Sequence, residues 1–363
     1  MDIDALPIAL LPRETIRALS RRSDARGALQ LGTHLGLLAA TGLLVWASRG
    51  QPWLVAALLL HGSVLAFLFC ALHECIHRTA FARRALNDAV AWLCGALLVL
   101  PPNYFRLFHF AHHRFTQNRA RDPELAVPAP ATRADYWWRV SGLPYWRERL
   151  QTTLRHALTG RVTEPFVPPA RAAEVVREAR TLWTCYLGIA ALSLYLQRAD
   201  VLIYWIMPAL LGQPFLRLFL LAEHTGCAFD DDMLANTRTT YSNAAVLFLT
   251  WRMPYHAEHH SFPSVPFHAL ARVNALLPTE NRVTAPGYVA LHRALLRQLR
   301  AGDAVSAGRR GSRADGCAGI PAVATTVPAA GHSSSMVSDS TALRRAMNSS
   351  IASSCAGSIP GSR

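Results

Sequence analysis

The sequence predicts an all-α integral membrane protein with four transmembrane helices in two hairpins, a cytoplasmic helical cap carrying clusters of histidines, and one re-entrant or interfacial helix. Three observations predict it. Hydrophobic residues make up 51% of the 363 and mean hydropathy is positive, a composition that points to a bilayer protein. Four apolar runs, at about 31–48, 53–72, 181–197 and 201–222, can each cover most of a hydrocarbon core of about 30 Å at about 1.5 Å per residue. The turns that pair them, Arg49-Gly50-Gln51-Pro52 and Gln197-Arg198-Ala199-Asp200, are short enough to make each pair antiparallel.

Segment 1–30 precedes the first run and is expected on the cytoplasmic side. It carries Arg13, Arg17, Arg21, Arg22 and Arg26, while Arg78, Arg83 and Arg84 follow the second run. The opposite-side turns carry one arginine each, so the positive-inside bias places the large loops and both termini in the cytoplasm. The apolar stretch 6–11 is too short and too proline-bounded for a signal peptide. Run 86–100, ending in Pro101-Pro102, is about 15 residues long, marginal for a span and suited to a re-entrant or interfacial helix. The membrane domain extends over 31–285, a C-terminal helix follows at 286–301, and the Ala/Gly/Ser/Thr/Arg-rich stretch 302–363 is expected to be disordered.

Net charge is +14, every basic residue is an arginine, and the arginines flank apolar runs. Lipid headgroups and topology therefore explain them better than nucleic acid does. The lack of lysine together with abundant alanine matches a GC-rich bacterial genome, hence a bacterial inner membrane. Seven cysteines form no C-x-x-C pair, which excludes a zinc ribbon and gives no disulfide framework.

The stretch His73-Glu74-Cys75-Ile76-His77 has the H-E-x-x-H spacing of zinc hydrolases, in which two histidines hold a metal and the glutamate is the base. It is not alone. His109, His112 and His113 lie in "HFAHHRFTQ", His224 in "LAEHTGC", and His256, His259 and His260 in "YHAEHH". Spacings of i, i+3 and i+4 put each set on one helix face. Eight or nine imidazoles exceed the three protein ligands of a catalytic zinc, so two metals are implied; imidazole alone does not choose among iron, copper, nickel and zinc.

Set in membrane hairpins, "HECIH", "HFAHH" and "HAEHH" resemble the three histidine boxes of the membrane fatty acid desaturase and hydroxylase superfamily. The flanks "HRFTQNRARDPEL" (113–125) and "WRMPYHAEHHSFPSVPFHAL" (251–270) look like bacterial members. The resemblance covers about 31–285. It implies a non-haem centre of two Fe ions on the cytoplasmic face, ligated by His73, His77, His109, His112, His113, His256, His259 and His260, with His224 as an additional ligand. It implies dioxygen as co-substrate and oxidation of an unactivated C–H in a lipid acyl chain, fatty acid desaturation first. Hydroxylation or ketolation of an acyl lipid, a sphingoid lipid or a carotenoid is the alternative. The chain carries no flavin, haem or iron–sulfur signature, so the resemblance also implies an external donor such as a ferredoxin, for which the arginine-rich face including 133–180 is a candidate dock.

Because ligating imidazoles donate their other N–H to a carboxylate or carbonyl, Glu74, Asp122, Glu223 and Glu258 are candidates to support the ligands, with Asn118 and Asn243 behind them. His34 and His61 should face the bundle interior, and Arg217 should pair or snorkel near the cytoplasmic boundary. His268 reads as structural, and His156, His292 and His332 as solvent-facing.

Overall fold

The computed structural model describes residues 10–301 apart from Asn281; the expected tail 302–363, with His332, lies outside the described residues. A short α1 (Arg13–Leu19) leads to α2 (Asp24–Ala47), whose start is fixed by Ser23 accepting a hydrogen bond from the Arg26 N–H. Beyond the turn at Gly50, α3 (Leu54–Ala66) and α4 (Leu68–His77) follow almost end to end, so that the apolar rod Leu54–His77 carries the first histidine pair at its tip. Arg78, in the left-handed region at φ 60°, ends that rod.

The run expected at 86–100 folds as α5 (Arg84–Leu97), followed by a bend of 98° into α6 (Pro102–Phe115). The bend has local causes. Val99 adopts φ 54°, Gly95 lies so close to the Leu100 carbonyl that a Cβ would overlap it, and Pro102 starts the next helix where no N–H is needed. The start of α6 is then held by the buried Glu178 carboxylate, which accepts from the Asn103 N–H at 2.9 Å and the Tyr104 N–H at 3.1 Å. Arg106 donates to the Ile76 carbonyl and tethers α6 to the tip of α4.

After α7 (Arg133–Val140) and α8 (Leu143–Thr159), α9 (Ala172–Tyr195) starts nine residues before the apolar run expected at 181–197. The extra turns hold Arg177, Glu178 and Arg180, so only the last part of α9 is apolar. That part exposes Leu187, Leu192, Leu194 and Tyr195. A π-helical turn, Leu202–Ile206, opens α10 (Met207–His224). Among the described residues, three helices are long and apolar enough to cross a membrane, Asp24–Ala47, Leu54–His77 and Leu202–His224, or four if the bent pair counts as one. The chain is thus a helical membrane protein.

The two inter-helix turns lie at one end of the bundle, where Arg49 Nη2 meets Asp200 Oδ1 at 3.3 Å. At mid-bundle α3 and α10 are in backbone contact, because Gly62 faces the Pro208 carbonyl and Gly212 faces Gly62 with no room for a side chain. At the opposite end are α11 (Met233–Asn236), β1 (Arg238–Thr240), α12 (Ala244–Leu249), α13 (His256–Ser261), α14 (Leu270–Leu276), β2 (Val283–Ala285) and α15 (Tyr288–Ala301). β1 and β2 pair in parallel, Thr239 opposite Thr284.

His34 and His61 are buried inside the bundle. His34 lies 3.0 Å from the Val64 carbonyl and accepts from Trp251 Nε1; His61 lies between Thr41 and the Tyr204 carbonyl. His156 and His292, expected in solvent, are buried instead. Each found a partner that tertiary contact supplies: Glu164 at 3.1 Å for His156, and the Tyr136 hydroxyl and Leu218 carbonyl for His292.

Candidate metal centre

Four elements bring their histidines to one place. The tip of α4 offers His73 and His77, one face of α6 offers His109, His112 and His113, the end of α10 offers His224, and α13 offers His256, His259 and His260. The residues between the boxes explain how so short a helix as α13 is held in register. Glu258, fully buried, accepts from Thr239 on β1, Asn274 on α14 and Arg282 just before β2, so that its neighbouring histidines face the other way. Trp251 and Arg252, both at positive φ, make the turn that delivers the chain to α13.

The imidazoles form two groups. His73, His77, His109, His113 and His259 have one nitrogen each within 4.8 Å of all the others, and so do His112, His224 and His260. His256 joins the second group, its Nε2 being 3.2 Å from His224 Nε2. Hydrogen bonding orients several of the rings. His112 Nδ1 lies 2.9 Å from Asp122 Oδ1 and 3.2 Å from Glu124 Oε2, and His224 Nδ1 lies 3.2 Å from the Asn236 carbonyl. These oxygens only accept, so each Nδ1 carries a proton, and in the neutral ring each Nε2 presents a lone pair. Those two lone pairs face one another at 3.2 Å. Such a contact between neutral rings is repulsive, and a cation between them makes it attractive.

The same test applies to the larger group. His113 Nε2 is 2.9 Å from His109 Nε2 and 3.1 Å from His259 Nε2, and a single N–H can satisfy one of these contacts only. Both nitrogens of His73, His77 Nε2 and His260 Nε2 are buried with no hydrogen-bond partner among the described residues, a cost the fold would not sustain without a ligand to fill it. Burial, and after it the neighbouring imidazoles, hold His256, His259 and His260 well below the usual imidazole range, so these rings are neutral donors. His112 is pushed down by burial but raised overall by Glu124 and Asp122. The donor set fits metal ions bound by neutral nitrogen.

Of the four carboxylates expected to support ligands, Asp122 touches His112, and Glu223 Oε1 lies 3.4 Å from His256 Nδ1. Glu74 and Glu258 do not meet an imidazole. Glu74 accepts from the Thr79 hydroxyl at 2.7 Å and the Phe267 N–H at 3.3 Å, tying the first box to the segment after the third. A hydrolytic base would need to face the metal, and this carboxylate is engaged elsewhere. Glu124, Thr116, Gln117 and Asn236 also contact the site, and sequence reading missed them; the D-x-E spacing of Asp122 and Glu124 was the available signal for the first. Asn118 accepts from the Ala120 N–H and Asn243 caps α12.

Apolar rings close the membrane side. Phe69 packs on His73 and on Phe105, and Phe105 on His109, with centroids 6.3, 5.4 and 5.5 Å apart. Nine imidazoles at one end of an apolar helix bundle define the class: a helical membrane protein with histidine clusters able to hold metal. The model of the fatty acid desaturase family matches residues 50–291, and the chain belongs to that family. It is 26% identical to a sphingolipid delta(4)-desaturase/C4-monooxygenase of Rattus norvegicus over 68% of this chain and 73% of that protein. It is 26% identical to an sn-1 oleoyl-lipid 12-desaturase of Picosynechococcus over 36% and 41%, and 24% identical to a dihydrorhizobitoxine desaturase of Bradyrhizobium elkanii over 76% and 81%.

Proposed function

We propose that the chain uses dioxygen and two iron ions, held by the nine histidines, to desaturate an acyl or sphingoid chain of a membrane lipid. One observation carries this reading: two adjoining groups of buried or half-buried imidazoles, five and four strong, at the boundary between an apolar bundle and a polar cap. Bound iron supplies the activation of dioxygen that acid, base and nucleophile chemistry lacks. The protein's own groups do the rest. Asp122 and Glu124 accept hydrogen bonds from His112 Nδ1–H, and the Asn236 carbonyl accepts one from His224 Nδ1–H, so both rings aim Nε2 inward. Phe69 and Phe105 keep water from the membrane side, where a methylene would approach.

In this reading four helices cross a bacterial inner membrane, the fourth being the apolar part of α9, and α5 dips in and returns. The cap and both termini face the cytoplasm, and a small ferredoxin-like protein supplies electrons there. The exposed leucines at the end of α9 and the shared position of the two inter-helix turns support it. Hydroxylation at the same centre is the second reading, favoured by the Rattus relative, a sphingolipid delta(4)-desaturase/C4-monooxygenase. Expression in a bacterial host, with mass spectrometry of the lipids, separates the outcomes. New double bonds with about two irons per chain support desaturation, and new hydroxyls support the second reading. One zinc, no iron and unchanged lipids would overturn both.

A further inference from the structure

Away from the metal centre, a cleft of about 830 Å³ opens between α1, the first turn of α2 and the start of α14. Its walls bring together Arg17, Arg21, Arg22, Arg26, Arg272 and His268, against one carboxylate, Glu14. Arg26 Nη1 lies 3.0 Å from His268 Nδ1, and Ser20, at the end of α1, hydrogen-bonds Ser264, ahead of α14, at 3.2 Å. Arg17, Arg21, Arg22 and Arg272 are exposed and make no ion pair or hydrogen bond with a described residue through their guanidinium groups. Five like charges converging on one concavity repel each other and stay together best around an anion. Burial, and then the positive charge of Arg26, Arg272 and Arg252, pull His268 down to about 4, and its Nε2 is buried with no partner among the described residues.

The level of this cleft on the molecule says what reaches it. Leu29 is 69% exposed less than a turn beyond Arg26, and Leu37, Leu43 and Trp46 continue the exposed apolar side of α2. The acyl-chain region therefore begins just past the arginines, and the cleft lies among headgroups. We propose that this cleft binds the phosphate of an anionic phospholipid headgroup, which the guanidinium forks match in charge and geometry. The bound headgroup joins the N-terminal helices to the segment that follows the third box. Phe267, next to His268, donates its N–H to Glu74, so the clasp extends to the first box. The inference rests on α2 lying in a membrane and not on the reaction proposed above.

The test uses the full chain purified in detergent, with retained lipid read by native mass spectrometry. The wild type is expected to keep phosphatidylglycerol at least about tenfold better than phosphatidylcholine of the same chain length. The triple variant Arg21→Gln, Arg22→Gln, Arg272→Gln is expected to lose about tenfold or more of that retention, since each arginine near an anionic surface contributes substantially. A second triple variant, Arg147→Gln, Arg161→Gln, Arg177→Gln, removes the same charge from exposed sites elsewhere and should stay within about twofold of wild type. Equal loss in both variants means diffuse attraction and overturns the proposal, as does equal retention of the two lipids. Displacement of the lipid by an equal concentration of inorganic phosphate would assign the cleft to soluble phosphates and overturn the lipid.

Discussion

The proton positions at Nδ1 of His112 and His224, two of the proposed ligands, are set by oxygens that only accept. Asp122→Asn removes the charge that fixes His112 and is expected to lower iron content or lipid oxidation about 10–100-fold, measured by metal analysis and lipid profiling on the same preparation. Glu164 gives a prediction in pH. Burial raises its carboxyl, but the hydrogen bond from His156 and the charge of Arg155 outweigh burial and hold it at about 2, against 4.5 ordinarily. A carboxyl depressed in the folded state stabilises above the unfolded value and loses that contribution as pH falls through the folded one. Thermal melts between pH about 4.5 and 2 should therefore fall more steeply for the wild type than for Glu164→Gln, and parallel curves would sink the assignment. The sequence showed which histidines cluster but not which acids serve them. Glu74 and Glu258 sit inside the boxes and point away, because on a helix a residue one or two places from a ligand lies on another face; Glu124, outside any box, reaches His112.

At the scale of elements, the apolar runs were legible because composition alone requires them to be helical in a bilayer. The end of the apolar run at Pro101-Pro102 was legible too, since proline there breaks the helix for local steric reasons. What was not legible was the extent of α9, where a charged start and an apolar end form one helix, or the contact of α3 with α10. That contact depends on Gly62 and Gly212 meeting backbone to backbone, and neither neighbour's sequence announces the other. Gly212→Val should force these helices apart and lower the thermal unfolding midpoint, as overpacking in a close interface costs about 1–3 kcal/mol. A midpoint equal to that of the wild type would show that the interface tolerates separation.

Across the whole molecule, the proposed metal centre requires the tips of α4, α6 and α10 and all of α13 on one side of the membrane. Cysteines placed singly at Arg78 and Arg106 should therefore react with an impermeant thiol reagent from the same side, after Cys185, the exposed cysteine among the described residues, and Cys317 and Cys355, which lie outside them, are replaced. Labelling from opposite sides would make α5 a span and pull the first two boxes apart. By itself the sequence determined the helical membrane class, the three histidine boxes and the resemblance that follows from them, because hydropathy and helical spacing are local properties of the chain. The tertiary structure decided how nine imidazoles divide into two groups, which oxygens orient them, and that His156 and His292 are buried in partnered sites. Those outcomes depend on contacts between segments distant in the chain, and no window of sequence contains both partners.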